Sequence, residues 1–203
     1  MKTKLFTIIT MLVLVGGIAS STYASTNNNN NAATVLTDVS KISKIEIRGN
    51  VELYVSAGTA DQVKVYNRYY AESALVQSQN GVLRISSYKA EKLVVWVTAN
   101  DLRAISAYDN AQVKSFGKLS AIDLEVNLHN TATANLNLDT YNANVNVNDR
   151  AKIDLTGSTT LYNLNHTVAT SVNNNNFTAT TYTDTLNNGT APKKVITNEL
   201  AGL

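Results

Sequence analysis

The chain has 203 residues, with 17 basic and 15 acidic side chains, no cysteine, one proline and one tryptophan. Cleavage of a leader at residues 1–24 would remove Lys2 and Lys4 and no acidic residue, leaving 15 charges of each sign, so no basic surface for nucleic acid survives. The lack of cysteine excludes disulfides and a lipid-modified bacterial amino terminus, and the fold must rest on burial and hydrogen bonding.

Lys2 and Lys4 precede an apolar stretch from Leu5 to Ile18, and Thr22-Tyr23-Ala24 follows as a cleavage-type sequence. Residues 1–24 therefore read as a signal peptide, with no transmembrane anchor in the mature chain. The asparagine run Asn27 to Asn31 cannot bury apolar surface, so residues 25–41 read as a flexible leader. From Ile45 the pattern alternates strictly: Ile45, Ile47, Val51, Leu53, Val55, Val63 and Val65 fall on one side of their strands. Glu46, Arg48, Glu52, Tyr54, Lys64 and Tyr66 fall on the other, the period-two signature of strands with one buried face. Asn80-Gly81 tolerates positive φ at both positions and predicts a hairpin between Leu75–Ser78 and Val82–Ser86. The apolar run Lys92 to Ala99, with Trp96 inside it, predicts a strand buried on both faces or covered by a neighbouring loop.

A short phrase then recurs. It reads Tyr108-Asp109-Asn110-Ala111, His129-Asn130-Thr131-Ala132, Asn148-Asp149-Arg150-Ala151 and, more loosely, Asn165-His166-Thr167-Val168. Asp109, Asn130, Asp149 and His166 are 21, 19 and 17 residues apart, a spacing of stacked supersecondary units. Ile122, Leu124, Val126 and Leu128, then Ala134, Leu136 and Leu138, then Ala143, Val145 and Val147, alternate with polar residues and predict one core face. The expected fold is all-β: a single-stranded right-handed parallel β-helix (β-solenoid) over 42–182, with short antiparallel elements at its N-terminal side. Open terminal coils expose unpaired strand groups, so Ile42 to Val55 is expected to cap one end. The tail 183–203, with Val195, Ile196, Leu200 and Leu203, is the candidate C-terminal cap.

Ile45 to Gly58 reads strand, glycine turn, strand, glycine, and Gly81-Val82-Leu83-Arg84-Ile85, Leu93 to Thr98, Leu102 and Ile105 continue the pattern. These segments resemble the "putative auto-transporter adhesin, head GIN domain" family. That resemblance implies a right-handed parallel β-helix exported by a Bacteroidota-type bacterium, with an adhesin role. The family's later corners carry Ser-Gly-Ser-Gly, whereas Asp109, Asn130, Asp149 and His166 stand there in this chain. Asp and Asn suit left-handed turns; His166 fits less well.

Two residue sets are candidates for function. Oxygen ligands at Asp109, Asn130 and Asp149 could suit calcium, but strands about 4.8 Å apart place Asp109 and Asp149 about 9.6 Å apart. One ion with ligands at about 2.4 Å cannot bridge them, so the corner ladder reads as turn formers, with no metal and no cofactor expected. His129 and His166 read as exposed turn residues, since no metal-binding spacing surrounds them. The second set is the face carrying Asn142, Asn144, Asn146 and Asn148, with Tyr141 and Tyr162 nearby. Stacked amides and rings there could hold sugars, or the amides could simply satisfy one another between strands. No Gly-x-Ser-x-Gly elbow occurs, and an Asp123/Glu125 pair is what any strand supplies at i, i+2, so no catalytic residue is expected. The sequence reading is an exported, non-enzymatic protein contacting glycans or cell-envelope components. A purely structural envelope protein and, less favoured, a polysaccharide-active enzyme are the alternatives.

Overall fold

Alternation at period two places every second side chain on one face of a strand, and the chain uses that face to build a single core. The computed structural model describes residues 33–36, 39, 41–66, 74–168, 171–187 and 194–196. Fourteen strands lie among them. The first seven are β1 (Thr34–Leu36), β2 (Lys44–Gly49), β3 (Val51–Ala57), β4 (Gln62–Tyr66), β5 (Ala74–Gln79), β6 (Val82–Ser87) and β7 (Leu93–Ala99). The rest are β8 (Ala104–Tyr108), β9 (Gln112–Ser115), β10 (Leu119–Leu128), β11 (Thr133–Val147), β12 (Lys152–His166), β13 (Val172–Leu186) and β14 (Lys194–Ile196).

The expected right-handed parallel β-helix is corrected by the pairing of these strands. They form one mixed, curled half-barrel sheet, and its main path of eleven strands runs β1-β4-β7-β3-β9-β11-β10-β8-β2-β6-β5. That order departs from the order of the chain, and β1/β4, β4/β7, β5/β6 and β13/β14 are antiparallel. The physical reason lies in the N-terminal half. There a tight hairpin turns β5 back on β6, and β4 runs antiparallel to both β1 and β7, whereas β2 and β3 keep parallel neighbours, which need a longer return. Later in the chain the partners are parallel: β10 lies on β11, and β11 on β12, each at an offset of 19 residues, as in Leu119↔Leu138 and Thr133↔Lys152. The β12/β13 register begins at the same offset and gains one residue between Asp154 and Thr156, where a bulge shifts the ladder.

Ile45, Ile47, Leu53, Val55, Leu83, Leu93, Val126, Leu136 and Val145 are fully buried in the concavity. Ile122, expected on this face, is instead 76% exposed. It sits where the β10/β11 ladder passes from Ala121↔Thr140 to Asp123↔Asn142, a bend that breaks the alternation. Strand β7 is not buried on both faces: Leu93, Val95 and Val97 point inward, while Val94, Trp96 and Thr98 are half-buried on the outer side. Asn80 and Gly81 have φ of 52° and 79° and join β5 to β6 as the hairpin their sequence predicts.

Ile42 to Val55 is not a cap, because β2 and β3 occupy the interior of the sheet path, β2 between β8 and β6 and β3 between β7 and β9. Part of the tail does pair with the last long strand: β14 runs antiparallel to Tyr182–Asp184 of β13. Residues 34–36, inside the stretch expected as leader, form β1 against β4. The signal segment 1–24 and residues 197–203 lie outside the described residues.

Candidate functional site

Three of the four corner residues adopt the same strained backbone. Asp109, Asn130 and Asp149 have φ of 61°, 60° and 58°, the left-handed region where Asp and Asn are the best tolerated residues after glycine. Each turn closes through an alanine amide, Ala111, Ala132 or Ala151, donating to the carbonyl three residues back at 3.1 to 3.2 Å. The side chains then link neighbouring turns. Asn130 Oδ1 accepts from the Asp109 amide at 3.1 Å, and Asp149 Oδ2 accepts from the Asn130 amide at 2.8 Å. Asn130 Oδ1 and Asp149 Oδ2 are thus turned to backbone donors and Asp109 Oδ2 takes the Tyr88 hydroxyl at 3.2 Å, and no group of three or more His, Cys, Asp and Glu gathers for a metal among the described residues. Asn130→Ala is expected to cost about 2 kcal/mol, combining the left-handed penalty with the lost bond, while Asn130→Gly costs less because glycine accepts the angle; urea melts of both variants check this.

His166 does not join this ladder. By register it stands opposite Val147, which stands opposite Leu128, and all three face the core. Its Nε2 lies 2.9 Å from Asp184 Oδ1, and its Nδ1 lies 3.0 Å from the Val168 carbonyl. The turn after β12 closes later, where the Ser171 amide donates to the Val168 carbonyl at 3.0 Å. His166 is thus a buried core residue rather than an exposed turn residue, whereas His129 does begin a turn but is half-buried. His129 stacks on Tyr108 with ring centroids 4.9 Å apart, and the Arg48 guanidinium lies 3.8 Å from the Tyr108 centroid.

The asparagine face is a set of rungs. Asn142 Nδ2 donates to Asp123 Oδ1 at 3.1 Å, Asn146 to Asn127 at 2.8 Å, Asn163 to Asn144 at 2.9 Å and Asn165 to Asn146 at 2.9 Å. Asn148 is half-buried at the start of its turn, with its backbone amide on the Leu128 carbonyl. Tyr141 is 57% exposed but lies at the bend, where the ladder skips it, and so stands apart from the rungs. Tyr162 faces inward: it is 2% exposed and stacks on Tyr182 at 4.9 Å.

The most varied chemistry on the outer surface lies on another row, which the strand order assembles from distant parts of the chain. Lys64 opposes Trp96, Trp96 opposes Tyr54, and Tyr54 opposes Lys114. The row continues through Asn135, Asp154 and Asn173. Tyr54 and Trp96 stack at 4.7 Å and 18°, with Phe116 tilted against the indole at 5.1 Å and Tyr66 edge-on at 6.3 Å. Phe116 is 62% exposed. Beside this column an open groove of about 320 Å³ crosses β9, β11, β12 and β13, bounded by the row of Lys114, Asn135, Asp154 and Asn173 and by Gln112, Thr133, Lys152 and Ser171. The outward parity of Tyr54 and Tyr66 is visible in the sequence, and Trp96 shares the parity of Val94 and Thr98. What the sequence lacks is the order β4-β7-β3-β9 that brings them together.

Glu52 anchors the edge of the column. Its carboxylate takes Lys114 Nζ at 2.6 Å, the Tyr54 hydroxyl at 3.1 Å and Lys92 Nζ at 3.6 Å. The hydrogen bond from Lys114 outweighs partial burial and holds the Glu52 carboxyl below its ordinary 4.5. The folded value lies below the unfolded one, so this contribution to stability is present above about pH 4.5 and is lost as pH falls through the folded value. Glu52→Gln is expected to flatten the acid limb of the melting temperature between about pH 3 and 5 relative to the unsubstituted chain. Thermal melts across that range read it.

No curated protein matches the chain. Solved structures share its fold. A structure described as a "putative adhesin" from Bacteroides fragilis NCTC 9343 aligns with a TM-score of 0.61 at 16% identity, over 73% of this chain and 72% of that one. Another "putative adhesin", from Parabacteroides merdae ATCC 43184, aligns at 0.52 and 16%, over 68% and 67%. A "putative lipid binding protein" from Parabacteroides distasonis ATCC 8503 aligns at 0.57 and 10%, over 75% and 77%. The family model described as "Putative auto-transporter adhesin, head GIN domain" matches residues 41–198, so the chain belongs to that family.

Proposed function

We propose that this chain is an exported, non-enzymatic contact module of the adhesin type whose outer sheet face binds glycans of the cell envelope or of other cells. The observation that carries this reading is the outward row Trp96, Tyr54, Lys114, Asn135, Asp154 and Asn173, which puts rings at one end and amides at the other on one face. Rings and amides together suit a sugar, which offers apolar ring faces and hydroxyl groups at once. The outward carboxylates are already engaged: Glu52 by lysines, Asp154 by Asn173 and Asp123 by Asn142. Asp123 and Glu125 stand two apart on β10, the spacing any strand supplies, and each accepts from an asparagine amide. Family membership supports the adhesin reading, and the described residues contain no helix long and apolar enough to cross a membrane.

The test is binding of the purified chain to an array of envelope polysaccharides and phospholipid vesicles, with calcium and with a chelator. Saturable binding to a glycan class, unchanged by the chelator, is the expected result. Binding to vesicles alone, or release of reducing ends from a bound glycan, overturns it. Silence across the array favours a purely structural envelope role.

A further inference from the structure

The groove across β9, β11, β12 and β13 is open, ligand-sized and adjacent to the aromatic column. Its volume of about 320 Å³ lies at the lower end of the range for small-molecule clefts, roughly 300 to 1,000 Å³. Val113, Ala134 and Ile153 form its floor with their backbone, because their side chains are buried in the core. An acyl chain therefore finds there the aliphatic stems of polar side chains rather than core residues. The other polar groups of the lining are amides at Gln112, Asn135 and Asn173 and hydroxyls at Thr133 and Ser171. Gln112 Oε1 already accepts from Lys92, Asn173 Nδ2 donates to Asp154 and Ser171 Oγ donates to the Val168 carbonyl, and each keeps capacity for a further bond. The charges cancel locally: Lys152 and Asp154 line the same groove with opposite signs, and Lys114 is held by Glu52 at 2.6 Å. Such a lining has no net sign with which to attract an ionic polymer. On its β9 side the Lys114 ammonium lies 5.6 Å from the Tyr54 ring centroid, with the indole of Trp96 stacked beyond.

We propose that this groove and the Tyr54–Trp96 column form one subsite for a short run of uncharged sugar rings. The Asn135 amide and the second N–H of the Asn173 amide take the hydroxyls, and the aromatic column offers its outer edge to the sugar beyond Lys114. This rests on the glycan-contact reading and deepens it by naming the site and the ligand class.

Trp96 is the only tryptophan of the chain, so its emission reports occupancy of the column directly. The folded chain is titrated with cello-, chito- and manno-oligosaccharides of about four to six units, and with oligogalacturonate of the same length as the charged comparison, a length that covers the six strands from β7 to β13, about 24 Å at the usual strand spacing. A saturable change in emission with at least one uncharged series is expected. The double variant Asn135→Ala/Asn173→Ala, both positions exposed, should weaken that binding about tenfold or more while melting within a degree or two of the parent. Unaltered affinity in the double variant overturns the subsite, as does a response to oligogalacturonate alone. The envelope array separates the two readings. If the double variant keeps full array binding, the groove assignment fails and the contact-module reading stands. If the unsubstituted chain binds no glycan in either format, both fail.

Discussion

Gly157→Val is expected to lower the stability of the fold by about 3 kcal/mol or more, the sum of a left-handed backbone penalty of about 1–2 and overpacking of about 1–3 kcal/mol. Gly157 lies within β12 opposite Leu138, with φ of +99°. A Cβ built there runs into the Leu138 carbonyl oxygen of the adjoining strand and lies 2.8 Å from Asn137 Oδ1. The oxygen belongs to backbone that cannot swing aside without breaking the β11/β12 ladder. A loss of this size is a large fraction of the roughly 5–15 kcal/mol that holds a typical domain together, so much of the variant should be recovered as aggregate. Gly117→Ala is the matched comparison. Gly117 also has positive φ, at +80°, but a Cβ there meets nothing within 4 Å, and its cost should stay near the backbone penalty alone, about 1 kcal/mol. Urea melts of the two variants decide: equal losses would show that the close strand approach at Gly157 contributes nothing.

His166→Ala is expected to cost about 3 kcal/mol, and His166→Leu to recover roughly half of that. The imidazole occupies a core position on the row of Leu128 and Val147 and is 6% exposed. Truncation to alanine leaves a cavity and takes the imidazole from Asp184, while the Val168 carbonyl keeps the Ser171 amide and hydroxyl. Leucine refills the volume, as Leu128 does two strands away, and gives back the packing without the hydrogen bonds. Asp184 is one-third exposed and keeps the Tyr182 hydroxyl on its other oxygen at 3.0 Å, so water and that phenol partly replace the ring. Burial pushes the Tyr182 phenol up to about 12, with the Asp184 carboxylate adding to the shift. Burial likewise pushes its stacking partner Tyr162 above the ordinary range. Both phenols therefore remain neutral throughout the range in which the variants would be compared, and the Tyr182 hydroxyl remains a donor to Asp184. Indistinguishable melting temperatures for the alanine and leucine variants would show that hydrogen bonding alone holds this end of the sheet, against the core position that the register assigns.

Much of the local structure is legible without coordinates. The alternation of Ile45, Ile47, Val51, Leu53 and Val55 identifies the buried face, because a pleated strand allows only two directions for its side chains. The turn chemistry is equally local: Asn80-Gly81 makes its hairpin, and Asp109, Asn130 and Asp149 take up left-handed angles that few other residues accept. Where a local pattern was carried one step too far, a specific contact explains the miss. His166 continues the spacing of the corner residues roughly, but the register places it opposite Val147, two residues before the corner Asp149, on a core position. Ile122 continues the apolar alternation, but the bend in the ladder turns it to solvent.

The sequence by itself determined an all-β chain with one apolar face, left-handed Asp and Asn corners and family membership, since each of these depends on residues close together in the chain. Tertiary structure alone decided that the strands close into a mixed, curled sheet rather than a parallel helix, and that Lys64, Trp96, Tyr54, Lys114 and Asn135 share one outward row. The reason is that a strand's hydrogen-bonding edges are nearly blind to sequence. Parity states which face a residue takes, but which strand lies alongside, and in which direction, is settled by the connections and by the joint burial of all the strands in one core.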